Sequence, residues 1–208
     1  VHTWREDESE LLEGMTRLVL EQDPDIITGY NIDNFDLPRI AERVEALGGR
    51  KDAARRLAMF GWGRTPQDAS DLRRQRESVV PKRASTRAWT LGGRCVMDAW
   101  WQARMALRPQ RETLAFVSAL LFPEDAERQK MDVDASRMDE EWAARPDVVL
   151  EYCRRDAALP LDILHALQIV RRKEAVAAVA KVPFETASNG STSQLIDSLV
   201  IRRADRTG

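Results

Sequence analysis

Apolar side chains recur at helical spacing near the start of the chain, at Leu11, Leu12, Met15, Leu18 and Val19. That period predicts a helix over residues 7–22, with acids in its first turn where the helix dipole favours them. Asp23-Pro24-Asp25 is a turn signal, and Ile26–Asn31 (IITGYN) then predicts a short buried strand, being β-branched and aromatic. Asp36 stands where an N-cap belongs, with Pro38 in the first turn, and predicts a helix to about Leu47 that Gly48-Gly49 stops. Residues 50–93 show no clear period and are broken by Gly61-Trp62-Gly63 and Thr65-Pro66. Arg94–Trp101 (RCVMDAWW) predicts a second strand, and Leu114, Val117, Leu120 and Leu121 give a helix over 111–121 its apolar face. A polar stretch, 124–146, has Trp142 as its expected anchor. A long helix follows over 147–180, with a kink expected at Pro160. The tail from Pro183 holds a polar turn, Ser188–Ser191, and a last apolar helix. The pattern is α/β with more helix than strand. Two strands are too few for a stable open sheet, so further strands are expected to belong to it.

Composition narrows the class. The chain has 208 residues, of which 43% are hydrophobic and 32% charged, enough apolar side chains for a core and too many for a disordered chain. No apolar run approaches the ~20 residues of a membrane span, and the opening VHTWREDESE has no signal-peptide pattern. Two cysteines, Cys95 and Cys153, cannot form a disulfide framework and are expected to be reduced thiols in a cytoplasmic protein. The net charge of −2 does not announce nucleic acid. It hides a local imbalance, for Asp71–Arg94 holds seven bases against two acids. That stretch could track phosphates or be a solvated loop. Trp100 and Trp101 could stack on bases or belong to the core. His2, His165 and the two cysteines lack zinc-ligand spacing.

Two constellations carry candidate chemistry. In Tyr30-Asn31-Ile32-Asp33-Asn34-Phe35-Asp36 a strand ends, the chain turns, and a carboxylate is presented at a helix N-terminus. Open α/β sheets place ligands at the carboxyl ends of their strands, and a carboxylate there can hold a hard divalent cation; Asp36 could equally be a plain N-cap. In Tyr152-Cys153-Arg154-Arg155-Asp156, the tyrosine and the aspartate share a helix face at i, i+4. The phenol could orient a water beside a metal-binding carboxylate, or the pair could be a core tyrosine and an aspartate bound to a surface arginine.

Taken together, these stretches resemble family B DNA polymerases. DPDIITGYNIDNFDLPRI is similar to their second exonuclease motif and EYCRRDAALPLDIL to their third, in the right order. GRCVMDAWW resembles the strand between the two, and NGSTSQLIDSLVIRRADR resembles the stretch leading into the polymerase domain, most like archaeal members. The resemblance implies an RNase H-like 3′→5′ proofreading exonuclease domain, helix-rich, spanning residues 1–182, with 183–208 starting the connection to the polymerase domain. It implies hydrolysis of the primer's 3′-terminal phosphodiester with two Mg²⁺ or Mn²⁺ ions held by four carboxylates. Asp36 and Asp156 match metal ligands, and Tyr152 the phenol that orients the attacking water. Asn31 and Phe35 match positions beside the DNA strand, and Asp98 an acid next to the site, expected to be structural. Implied partners are primer–template DNA, single-stranded 3′ ends and the remainder of a polymerase chain, with no membrane.

One departure stands out. The family's first motif is an Asp-x-Glu on a buried strand well before the second, and Glu6, Asp7, Glu8 and Glu10 start an amphipathic helix instead. The expectation is a chain that begins after that motif, lacking N-terminal strands of the sheet and two of the four ligands. The alternatives are a non-catalytic domain that binds DNA or braces a polymerase, and a split polymerase subunit.

Overall fold

The computed structural model describes residues 7–48, 52–64, 71–74, 87–128, 131, 133 and 135–206. In order these form α1 (Glu8–Gln22), β1 (Ile26–Gly29), α2 (Asp36–Ala46), α3 (Ala53–Phe60), β2 (Asp71–Arg74), β3 (Arg87–Thr90), β4 (Cys95–Asp98) and α4 (Ala99–Leu107). There follow α5 (Leu114–Leu121), α6 (Met138–Ala144), α7 (Pro146–Ala166), α8 (Ile169–Ala180), α9 (Phe184–Asn189) and α10 (Thr192–Ala204). β1 pairs with β4, and β2 pairs antiparallel with β3 in the register Leu72↔Trp89. The helix-rich α/β class is therefore as the pattern predicts. No described helix is long and apolar enough to cross a membrane. Cys95 and Cys153 are both free thiols.

Several expectations need correction. Asp36 is not an N-cap: Phe35 holds that place without a side-chain bond, and Asp36 is the first residue inside α2. The irregular stretch contains α3, capped by Asp52, and the β2–β3 pair. The second strand stops at Asp98, because that residue caps α4, which takes Trp100 and Trp101 out of the strand. Trp142 anchors nothing, being 51% exposed on α6. Helix α7 runs unbroken through Pro160, and the long helix divides instead at Gln168, whose backbone is left-handed at φ 54°.

The chain forms two compact units. One comprises Val1–Ile27, Ile32–Met97 and Lys173–Gly208, the other Thr28–Asn31 and Asp98–Arg172. In the first, α1 and α2 both pack on α3. Their shared core is Leu12, Leu37, Val44, Met59, Phe60, Trp62, Trp89, Leu91 and Val96. The indoles of Trp62 and Trp89 meet the Phe60 ring edge-on, with centroids 4.9 and 5.5 Å away. Each indole N–H is satisfied, Trp62 donating to Thr16 Oγ1 and Trp89 to the Asp33 carbonyl. Arg94 is buried in this unit and donates to the carbonyls of Trp62 and Pro24, both at 2.6 Å, with Asp23 at 2.8 Å. It is thus a structural clamp and not one of the phosphate-tracking bases of the 71–94 stretch. Arg76, Lys82 and Arg83 of that stretch lie outside the described residues. In the second unit α7 is the spine, with α4, α5 and α6 packed along it over Val117, Val149, Leu159 and Ile163.

Candidate active site

The segment after β1 turns sharply. Asn31 sits in the left-handed region at φ 66°, a conformation that asparagine tolerates better than most residues. Its backbone N–H donates to Asp98 Oδ1 at 2.8 Å, and the same oxygen accepts from Trp100 N at 2.9 Å. Just before it, the Tyr30 hydroxyl donates to the Glu112 carbonyl at 2.7 Å. Burial pushes that phenol far above its usual range, and the nearby carboxylates of Asp98 and Glu112 push it the same way. Glu112 in turn is gripped through both carboxylate oxygens by Arg104, whose guanidinium lies over the Trp100 ring. Trp100 is therefore partly packed within its own unit. The expectation that Asp98 is structural is met, since it is 2% exposed and accepts two backbone N–H groups.

Phe35 is 67% exposed at the head of α2, an apolar ring standing in solvent. Asp36 follows it and is also open to solvent. Protein packed around its carboxyl nonetheless raises its pKa, desolvation outweighing the hydrogen bond from its own backbone N–H. A carboxylate crowded in this way gains from a cation.

Tyr152 and Asp156 lie one turn apart on α7, the tyrosine 8% exposed and one oxygen of the aspartate buried. Both arginines between them are taken by Glu151. Arg154 binds it at 2.7 and 2.8 Å and Arg155 at 2.9 Å, and they pull its carboxyl down to about 2. The Cys153 thiol is pushed up, first by burial and then by the charge of Asp156.

Asp36 and Phe35 belong to the first unit, and Asn31, Tyr152 and Asp156 to the second. Among the described residues no three His, Cys, Asp or Glu side chains gather as a metal-binding group. Two of the acids at the start of the chain are otherwise employed, Asp7 capping α1 and Glu8 pairing with Arg43, and Glu6 lies outside the described residues. The tie between Asp98 and Asn31 spans 67 residues and leaves no local signal, whereas the cap on α4 has one, an aspartate ahead of the apolar run Ala-Trp-Trp.

Residues 3–111 match the family model for the exonuclease domain of family B DNA polymerases. The DNA polymerase delta catalytic subunit of Caenorhabditis elegans is 31% identical over 207 residues, 95% of this chain and 18% of the relative. That of Mesocricetus auratus is 30% identical over 98% of this chain and 18% of its own length. DNA polymerase 1 of Pyrococcus abyssi is 25% identical, over 95% of this chain and 23% of its own. The chain thus spans about a fifth of the length of these relatives.

Proposed function

The chain belongs to the exonuclease-domain family of family B DNA polymerases, and we propose that it is the proofreading part of such an enzyme, of RNase H-like fold. In this reading it removes the 3′-terminal nucleotide of a primer by hydrolysing the last phosphodiester. The observation that carries it is the family match across the segment holding Asn31, Phe35 and Asp36. Residues 183–208 would start the connection to the polymerase domain.

The donor set suits the implied metals, since carboxylate oxygens are the hard ligands that Mg²⁺ and Mn²⁺ take. Asp36 and Asp156 would hold them, the crowded carboxyl of Asp36 being relieved by positive charge. When bound, the ions would lower the pKa of a coordinated water and stabilise the leaving 3′ oxygen. Tyr152 would hold that water through its phenol. The exposed ring of Phe35 would stack on a terminal base, and Asn31 would fix the strand beside it. Partners in this reading are single-stranded 3′ ends, primer–template DNA and the rest of a polymerase chain.

The alternative reading is a non-catalytic domain that binds DNA or braces a polymerase. An assay on a 3′-mismatched primer with Mg²⁺ or Mn²⁺ separates the two. The first reading expects little digestion by the chain alone, and digestion once an Asp-x-Glu strand from a relative is fused ahead of it, abolished by Asp156→Ala. A fusion that binds the primer but never digests it favours the second reading. Digestion that survives Asp156→Ala contradicts the site.

A further inference from the structure

The proposed strand contact at Asn31 depends on a left-handed backbone torsion, one that asparagine tolerates better than most residues and that its neighbours here also fix. At φ 66° its conformation is one that non-glycine residues adopt at a cost, and what holds it is visible. Asp98 Oδ1 accepts the Asn31 N–H at 2.8 Å and the Trp100 N–H at 2.9 Å, so one buried oxygen ties the turn after β1 to the first turn of α4. Tyr30, one residue earlier, is pinned separately by its hydroxyl on the Glu112 carbonyl. The turn is therefore fixed at two consecutive residues by partners distant in sequence.

We propose that Asp98 is a positioning residue for the DNA strand: its carboxylate holds Asn31 in the left-handed conformation and so sets the direction in which the Asn31 side chain meets the single-stranded 3′ end. The inference rests on the reading of Asn31 as a strand contact. It assigns Asp98 no contact with DNA or metal. A buried carboxylate accepting two backbone N–H groups is a strong, charge-assisted arrangement, and a turn held in this way needs no reordering when DNA binds. Ordering entropy that would otherwise weaken binding is lost on folding instead.

The test is a double-mutant cycle on the full chain, read by fluorescence anisotropy with a short labelled single-stranded oligonucleotide bearing a free 3′ hydroxyl, in EDTA so that nothing is hydrolysed. Asp98→Ala should weaken binding about tenfold, the scale of a lost hydrogen bond to a charged group. Asp98→Asn keeps an acceptor oxygen in place and should recover most of that loss. In an Asn31→Ala background neither change should weaken binding further, because Asp98 acts through Asn31, whereas its effect on the melting temperature should persist there. That split between affinity and stability is what a purely structural role would not give. If Asp98→Ala does not fold, Asp98→Asn alone should cost about threefold and lose that effect in the Asn31→Ala background. The same fold-loss in both backgrounds overturns the inference and leaves the Asn31 reading standing. An Asn31→Ala chain that binds as tightly as the wild type, or a wild-type chain with no affinity for the oligonucleotide, overturns the strand-contact reading and the inference with it.

Discussion

Asp36 holds its proton more tightly than an ordinary carboxyl because protein atoms crowd it. A raised pKa in the folded state means that the folded chain binds more protons than the unfolded one above the ordinary carboxylate value of about 4. Stability from this group is present at lower pH and is lost as pH rises through that window. Asp36→Asn should remove the slope and raise stability slightly near neutrality, by about 0.5 kcal/mol, since the side chain is open to solvent and screened. Chemical denaturation of both proteins at pH 4 and pH 7 checks this. A destabilising Asp36→Asn would mean that the charge is already compensated by the protein. At this scale the sequence was readable in part. Whether Asp36 caps its helix or stands inside it turns on one residue of backbone phase, which no side-chain pattern encodes. That the arginines beside Asp156 are held by Glu151 depends on rotamers, and Arg94 looks like a surface base until the carbonyls of Trp62 and Pro24 are seen to meet it.

Among the elements, the division between α7 and α8 shows which local signals bind the chain and which do not. A proline inside a helix removes one hydrogen bond, yet Pro160 is buried within α7 and packing holds the helix through it. The break falls at Gln168, at φ 54°, between Leu167 and the start of α8. Such a joint tolerates glycine best and β-branched residues worst. Gln168→Val should therefore cost about 1–2 kcal/mol, and Gln168→Gly should be neutral or stabilising. Urea unfolding of the two variants decides it, and equal losses would place the strain elsewhere. Gln168 gave no warning in sequence, because nothing about a glutamine announces a left-handed residue. Amphipathic α1, α2 and α5 are legible in extent to within a few residues, but not in their buried faces: Leu11, Met15 and Leu120 stand exposed while Thr16 and Ser118 are buried. The β2–β3 pair is not, since its strands DLRR and RAWT carry charge where β1 and β4 carry apolar runs.

For the molecule as a whole, several exposed carboxyls are held below the usual range by arginines. Asp23 is lowered chiefly by its hydrogen bond from Arg64, with Arg94 adding to it, Glu8 by Arg43, and Glu151 to about 2 by Arg154 and Arg155. Depressed acids contribute stability that is present above their ordinary pKa and lost as pH falls through the folded value. The chain should therefore lose stability progressively as pH falls below about 4. Asp23→Asn, which suits the left-handed backbone there at φ 43° as well as aspartate does, should reduce that loss. Melting temperatures across that range measure it, and an unchanged acid slope in Asp23→Asn would show that the Arg64–Asp23–Arg94 cluster adds nothing. The α/β class could be read along the chain, but not the interleaving of its units. The path changes unit at 27/28, 31/32, 97/98 and 172/173, and such crossings depend on contacts between residues far apart in sequence, beyond the reach of any local period.

The proposal most open to direct test is that Asp36 and Asp156 are each metal ligands. Titration of the chain with Mn²⁺, followed by electron paramagnetic resonance of the free ion, tests it without needing activity. If it holds, Asp36→Asn and Asp156→Asn should each weaken Mn²⁺ binding about tenfold or more, the scale of a perturbed metal-ligand set. Wild-type Mn²⁺ affinity in either variant would contradict it for that residue.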